Sequence, residues 1–497
     1  MNKPIRNLAV ACMLMFVALL INATYVQYWE ADDLTSLSQH PDNKRVRDAE
    51  FSRERGAILV RGKAVAESNK SEDPYEFQRV YPQGPEYAHV TGFFSRDWGL
   101  GAVESTQNSI LSGSDPRLFI DNRVIALVGG EEPKGGSVTT TIDPAAQRAA
   151  YDGLRDLGDD VRGAVVAIEP RTGKLLAMVS SPSYNPNRLA SHDFAAAGRT
   201  KQRLENANPS PLNNRAIEEV LPPGSTFKLV TAAAALESGK YDPDTLVPGT
   251  ATLDLPQTST DLVNESRGSC GGDKITLTRA LEVSCNVSFG DVGLKIGDDA
   301  LRTQAEKFGW GTRTFFDVDD ALTRQAISRF PDDPDKPQTA LSAIGQFDVA
   351  ATPLQMAMVA SGIANDGVVM KPYLVDELKS PKLETIERTD PEPMPDQPAM
   401  SSADARDLRE MMVSVVENGT ATTAQIPGVD VAGKTGTAQS APDRPPYAWF
   451  VSFAPADTPA VAVAVLVQDA GVARAQISGT GLAAPIANGV KEAVFGK

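Results

Sequence analysis

A serine with a lysine three residues on, Ser225-Thr226-Phe227-Lys228, follows Pro222-Pro223-Gly224 and precedes the apolar run Leu229 to Leu236. If a helix begins here, as the alanine-rich run implies, residues three apart share a face and the amine reaches the hydroxyl. An alcohol is a poor nucleophile at neutral pH and needs a base beside it. A lysine serves once burial or a neighbouring cation lowers its pKa. Two further pieces follow in chain order, Ser284-Cys285-Asn286 and Lys434-Thr435-Gly436-Thr437. In an extended or loop stretch Ser284 and Asn286 point the same way and Cys285 away, which offers a hydroxyl to relay a proton and an amide to hold a substrate carbonyl. Lys434, Thr435 and Thr437 supply a cation and two hydroxyls for a carboxylate. Gly436 leaves a strand edge open to a substrate backbone laid along it. The backbone amides of Ser225 and Thr437 are candidates for an oxyanion hole. Singly, each piece also reads as a helix start with a solvated lysine, a loop tripeptide, or a turn with a surface lysine. In this order, and in fitting local context, they describe attack on an amide beside a terminal carboxylate.

The elements that must position these groups are legible in part. Ser137 to Thr141 is β-branched and predicts a strand, with Asp143 capping a helix that opens at Pro144. Gly163 to Ile168 and Lys174 to Val179 flank Glu169-Pro170-Arg171-Thr172-Gly173, a hairpin. Asn214 to about Trp310 reads as mainly helical and holds the first two motifs. Helices also fit Thr352 to Ile363, and Ser402 to Val416 with Leu408, Met411, Met412, Val415 and Val416 on one face. Val369 to Met400, with Asp390-Pro391-Glu392-Pro393-Met394-Pro395, reads as an exposed loop. Strands return at Val429 to Ala432, Ala448 to Phe453 and Val461 to Val467, so the third motif continues a strand. A final helix fits Leu482 to Phe495. Ahead of all this, Asp32 to about Gly136 is polar and irregular, with a strand-like Gly56 to Val60, a stretch from Tyr81 to Phe94 rich in Gly, Pro and aromatics, and a short helical piece near Gly99 to Leu111.

The chain has 497 residues, enough for two or more domains, with 41% hydrophobic residues, 39 Gly and 35 Pro, which is globular and loop-rich. A net charge of −16 argues against nucleic acid as a partner. Three histidines (His40, His89, His192) and three cysteines (Cys12, Cys270, Cys285) are scattered without zinc-ligand spacing, so no metal and no cofactor is expected. Leu8 to Val26 carries no charge and approaches the roughly 20 residues of a bilayer span. Lys3 and Arg6 precede it and Glu30, Asp32 and Asp33 follow, which puts the N-terminus in the cytoplasm and the rest outside, with Tyr25, Tyr28 and Trp29 at the outer interface. A cleaved signal peptide is the alternative, but no clear A-x-A-like site follows the apolar core. Outside the cell membrane disulfides persist, and with Cys12 inside the span only Cys270 and Cys285 can pair in the folded part. Closing that loop of about 15 residues is worth about 3 kcal/mol in the chain-entropy model.

The three motifs, together with Asn214-Arg215, Ala343-Ile344-Gly345-Gln346, Thr352-Pro353-Leu354-Gln355-Met356-Ala357, Glu417-Asn418-Gly419-Thr420-Ala421 and Ala432-Gly433, resemble the class B penicillin-binding proteins. These are monofunctional D,D-transpeptidases of peptidoglycan synthesis, and the likeness is greatest to their actinobacterial PbpA type. The resemblance implies an α+β transpeptidase fold, an antiparallel sheet covered by helices plus an all-helical subdomain, with the active site between. The expected division is a cytoplasmic tail and membrane helix over 1–29, a pedestal over 30–137 and the transpeptidase domain over 138–497. It implies Ser225 as the acylated nucleophile, Lys228 as its base and Ser284 as the proton relay. Asn286 would contact the peptide, and Lys434, Thr435, Gly436 and Thr437 would form the carboxylate site. Arg55-Gly56-Ala57-Ile58 resembles the start of the family's pedestal motif, whereas Leu59-Val60-Arg61-Gly62-Lys63 departs from its usual continuation. Implied partners are the stem peptides of the lipid-linked precursor polymer, β-lactam antibiotics and a membrane glycosyltransferase, since the stretch before residue 138 lacks the length and paired acids of a polymerase. The implied roles lie in cell wall synthesis and in cell division or cell shape. Rival readings are a D,D-carboxypeptidase or β-lactamase using the same acyl-enzyme, a penicillin sensor, for which the seven residues before Leu8 leave no room, and a silent scaffold, against which every retained hydroxyl and lysine argues.

Overall fold

The computed structural model describes residues 3–28, 48, 50–118, 134–158, 161–319, 324–439 and 445–496. Trp29, Glu30, Asp32, Asp33 and His40, used in the sequence reading, lie outside them. Residues 1–53 with 70–77 form one unit, and 54–69 with 78–497 the other. The first contains helix α1 (Lys3–Tyr28), 26 residues whose apolar side chains are exposed along its length. Among the described residues it is the one helix long and apolar enough to cross a membrane.

Along the rest of the chain run β1 (Ile58–Val60), β2 (Lys63–Lys70), β3 (Phe77–Val80), β4 (Ser137–Thr140), α2 (Pro144–Arg155), β5 (Arg162–Ile168) and β6 (Leu175–Ser181). There follow α3 (Lys228–Glu237), α4 (Asn286–Ile296), α5 (Pro353–Ala364), β7 (Val375–Lys379), β8 (Thr385–Arg388), α6 (Ser402–Glu417), β9 (Ala432–Ala438), β10 (Tyr447–Ala454), β11 (Val461–Asp469) and α7 (Ala484–Phe495). Five strands form the main sheet in the order β9-β10-β11-β5-β6, every pair antiparallel. β5, β10 and β11 are buried almost from end to end, which is why they read as apolar runs and not as alternation. Helix α5 lies on one face of this sheet with α6 beside it, and α2 and α7 pack together over the other. All twelve residues of α5 are buried; Thr352 caps it through the Gln355 amide and Pro353 opens it. The predicted apolar face of α6 is the buried one.

A second sheet has the order β8-β7-β4-β1-β2-β3. β7 and β8 come from the stretch read as an exposed loop. The Pro/acid-rich piece from Asp390 to Pro395 is loop and largely exposed, as read; before it, β8 pairs with β7 and β7 with β4, the latter a long-range contact that local composition does not announce. Tyr81 to Phe94 likewise contains a helix, Gly84–Thr91, almost wholly buried. The span read as mainly helical carries two small hairpins instead between its helices, Leu246–Pro248 with Lys274–Thr276 and Thr252–Leu253 with Leu262–Val263.

Candidate active site

Ser225 stands in a single 3₁₀ turn, Gly224–Phe227, and Lys228 is the first residue of α3. In a 3₁₀ turn residues three apart eclipse one another, so the spacing that suggested a helix face works here at the join of two helix types. The turn is wedged from several sides. The Gly224 amide donates to the Gly345 carbonyl at 2.9 Å, and Trp449 Nε1 donates to the Pro222 carbonyl at 3.0 Å. Phe227 packs edge-on to Trp310 and stacks on Phe330. Gly345 has φ +71°, and a Cβ there would fall 2.1 Å from the Gly224 oxygen, so the motif around it is a glycine-dependent brace for the serine turn.

Lys228 is fully buried, and its Nζ lies 3.0 Å from Ser225 Oγ, 2.6 Å from the Ser284 carbonyl, 2.7 Å from Asn286 Oδ1 and 3.2 Å from Ser284 Oγ. The Asn286 amide is oriented by its own Nδ2, which donates to the Val263 carbonyl at 3.1 Å. A neutral amine has two protons and one lone pair. The Ser284 carbonyl and Asn286 Oδ1 can only accept and take both protons, which aims the lone pair at the Ser225 hydroxyl. Burial foremost, then the charge of Lys434, pushes the Lys228 amine well below the ordinary lysine range, against the weaker pull of Glu265. Lys434 is buried as completely; burial brings it down to about 7, again opposed by Glu265. Its Nζ donates to Ser284 Oγ at 2.9 Å and to the Thr435 carbonyl at 2.8 Å. Ser284 Oγ therefore sits between two buried amines.

Where the sequence allowed an extended or loop stretch for Ser284 and Asn286, the structure has a turn followed by a helix. Ser284 has φ +57° and α4 starts at Asn286, so it is a left-handed turn that brings both side chains to Lys228. Asn286 Oδ1 is used by Lys228 and one Nδ2 hydrogen by the Val263 carbonyl. Cys285 points away and is bonded to Cys270, S–S 2.12 Å, and this bridge borders the cleft wall. The cleft, about 710 Å³, is lined by Ser225, Ser284, Thr435 and Thr437 among others, while the Lys434 amine lies behind it. Gly436 sits on edge strand β9, but the side a Cβ would occupy faces Thr226 and Pro223 at 2.9–3.0 Å. The close approach it permits is that of the serine turn.

Sequence reasoning assigned no role to Asn264, Glu265, Thr420 or Thr480. Thr420 Oγ1 meets Thr435 Oγ1 at 2.8 Å, and its carbonyl accepts from Thr480 Oγ1 at 2.7 Å, which steadies the threonine that lines the cleft. Asn264 Oδ1 accepts the first two amides of α4, from Asn286 and Val287. Thr420 lay in a segment that carried the family resemblance without a role of its own; nothing in the spacing marked Asn264, Glu265 or Thr480, and the helix amides that Asn264 binds are 22 and 23 residues on.

The family profile described as penicillin binding protein transpeptidase domain matches residues 163–491, and that of the penicillin binding protein A dimerisation domain matches 55–138. The chain is 44% identical over 494 residues to peptidoglycan D,D-transpeptidase PbpA of Mycolicibacterium smegmatis, covering 98% of this chain and 97% of that one. To PbpA of Mycobacterium tuberculosis it is 42% identical, covering 100% and 99%. The ceftriaxone acyl-enzyme complex of penicillin-binding protein A from M. tuberculosis superposes with a TM-score of 0.85 at 41% identity, over 90% of this chain and 100% of that one. With the serine turn, the two buried lysines and the edge strand arranged as described, the chain belongs to the class B penicillin-binding transpeptidases.

Proposed function

We propose that this protein is a membrane-anchored peptidoglycan D,D-transpeptidase in which Ser225 is the nucleophile. The observation that carries the reading is the Lys228 amine, stripped of water and of any hydrogen-bonded anion, with its lone pair aimed at Ser225 Oγ 3.0 Å away. Ser225 attacks the carbonyl between the last two D-alanines of a donor stem peptide and its proton passes to Lys228. The tetrahedral oxyanion is held by the backbone amides of Ser225 and Thr437, each worth about 2.7–4 kcal/mol in such sites. Ser284, hydrogen-bonded to both amines, carries the proton to the leaving D-alanine nitrogen. Thr435 and Thr437 bind the terminal carboxylate, with the Lys434 charge behind them and Gly436 keeping the edge strand close to the serine turn. Asn286 orients Lys228. An amine of a second stem peptide then resolves the ester into a cross-link, and β-lactams stop at the acyl stage. The disulfide Cys270–Cys285 stiffens the turn that aims Ser284.

The reading includes the division at residues 29/30 and 137/138; the profile match that ends at 138 supports the second of these. It also includes an N-terminus in the cytoplasm, from the charge bias around α1, and a membrane glycosyltransferase that makes the polymer. Protease added to spheroplasts should remove the part beyond residue 54, and cross-linked polymer should form from lipid-linked precursor only when polymerase and this protein are combined. The decisive experiment incubates the full-length protein with a labelled stem-peptide thioester and a defined amine. Transfer that rises with amine concentration is expected; hydrolysis alone would make it a carboxypeptidase, and rapid release of a penicilloyl adduct a β-lactamase.

A further inference from the structure

Asn264 is almost fully buried, and its side chain makes four hydrogen bonds: Nδ2 donates to the Thr250 and Gly268 carbonyls, and Oδ1 accepts from the amides of Asn286 and Val287. Asn286 Nδ2 returns a bond to the Val263 carbonyl. The backbone at 263–264 is thus clamped to the residue that orients Lys228. The next side chain, Glu265, is exposed and lines the same cleft as Ser225. Among the described residues it makes no hydrogen bond or ion pair, whereas Arg279, the other charged residue lining the cleft, is paired with Glu282 at 2.8 Å. An exposed glutamate on a loop is ordinarily just solvated. This one follows a buried four-bond anchor in the chain, lines the cleft of Ser225, and its charge reaches both active-site amines, favouring their protonated forms. An unpaired carboxylate in the lining of a cleft whose second substrate is an amine has an obvious ligand.

We propose that Glu265 is the acceptor-specificity residue, binding the cationic amine of the incoming stem peptide at the cleft mouth; this rests on the transpeptidase reading above. The bound ammonium releases one proton to water. The amine nitrogen then bonds to the acyl carbon as the ester bond to Ser225 Oγ breaks, and its second proton passes through Lys228 to Ser225 Oγ, which restores the hydroxyl.

The test measures the ratio of transfer to hydrolysis for the full-length protein, with a stem-peptide thioester as donor and two acceptors: a primary alkylamine, charged at neutral pH, and its aminooxy analogue, uncharged there. Glu265→Gln should raise KM for the alkylamine about tenfold while kcat does not fall, as expected for loss of a charge-assisted contact made with the bound ammonium before its proton leaves. The aminooxy acceptor should change less than about twofold. Glu265→Asp should recover part of the loss. Equal effects on the two acceptors, or none on either, would overturn the proposal alone. Wild-type protein that acylates and only hydrolyses would overturn the transpeptidase reading and the proposal with it.

Discussion

Two sites among the described residues each bury a pair of cations, and they treat them in opposite ways. In the first, Arg55 and Arg79 each donate Nε to one oxygen of Glu104 at 2.6 Å, with all three side chains no more than 1% exposed. Arg55 adds bonds to the Glu104 carbonyl and Asn108, and Tyr81 OH joins Glu104 at 3.1 Å. Burial alone would push the Glu104 carboxyl up; the two guanidiniums outweigh it and hold it below the ordinary value. In the second, Lys228 and Lys434 share neutral oxygens and no buried anion. Arginine cannot give up its proton in a protein, so a buried guanidinium needs its carboxylate and becomes a fixed strut. Lysine can, so burying two of them without an anion makes bases. Charge type and partner, more than burial, separate scaffold from chemistry here.

Breaking the lysine side should cost activity and not fold. Ser225→Ala should abolish the penicilloyl adduct seen by mass spectrometry, with the melting temperature unchanged. Lys228→Ala should slow acylation by about 10²–10⁴-fold, the usual worth of a general base. Lys228→Arg should be nearly as damaging because a guanidinium stays protonated. An adduct on another serine, or an active arginine variant, would dissolve the contrast. Breaking the arginine side should do the reverse. Glu104→Gln leaves two buried guanidiniums without their anion and should destabilise the protein by about 3–5 kcal/mol in denaturant unfolding, while protein that remains folded acylates normally. Because the folded Glu104 pKa is depressed, its contribution is present above the unfolded carboxyl pKa of about 4.3 and is lost as pH falls through the folded value.

Much of the site was written in the sequence because its chemistry is local. Ser225 and Lys228 are three residues apart, Asp143 caps the helix it was expected to cap, the helix expected over Thr352 to Ile363 runs from Pro353 to Ala364, and the face of α6 repeats at helical spacing. What escaped depends on distant pairing. β7 and β8 are weak strands that exist by bonding to β4 and to each other, more than two hundred residues from β4 in the chain. The left-handed turn at Ser284 was not foreseen, because positive φ leaves no mark in a serine's identity. Asn264 looked like any loop asparagine, since its four partners come from three separate segments. Cation burial was invisible too: nothing in the sequence distinguishes Lys434, or Lys491, from a solvated lysine.

Lys491 sharpens the comparison from outside the site. It is fully buried on α7, with Nζ 3.1 Å from Ser452 Oγ and 5.5 Å from the centre of the Phe450 ring, and burial brings it down to about 7. A depressed lysine binds fewer protons folded than unfolded, so stability rises with pH between about 7 and the unfolded pKa of about 10.4, at up to about 1.4 kcal/mol per pH unit for each such group. Urea midpoints should therefore increase from pH 7.5 to 9.5, and Lys491→Met should flatten that slope. A slope unaffected by the substitution would mean that the amine keeps its proton, in the manner of the arginines.

The smallest effect concerns the one anion that the lysine pair does feel. Glu265 favours the protonated form of both Lys228 and Lys434, through solvent. The two amines are coupled, so acylation by a substrate with a terminal carboxylate should follow a bell. Its rising limb reports loss of a proton from Lys228, the base, and its falling limb, from near pH 7 upward, loss of charge from Lys434. Removing the carboxylate makes both amines release protons more readily, so Glu265→Gln should move both limbs to lower pH. Exposed charge pairs are worth about 0.2–1 kcal/mol, which limits the displacement to less than about one pH unit. High salt should move the wild-type bell the same way and shrink the difference, because the interaction is screened. A shift to lower pH of well over about one unit, or one that persists undiminished in high salt, would mean that Glu265 acts on the lysines by contact and not by field, and the active-site lysines would then resemble the arginine cluster more than its opposite.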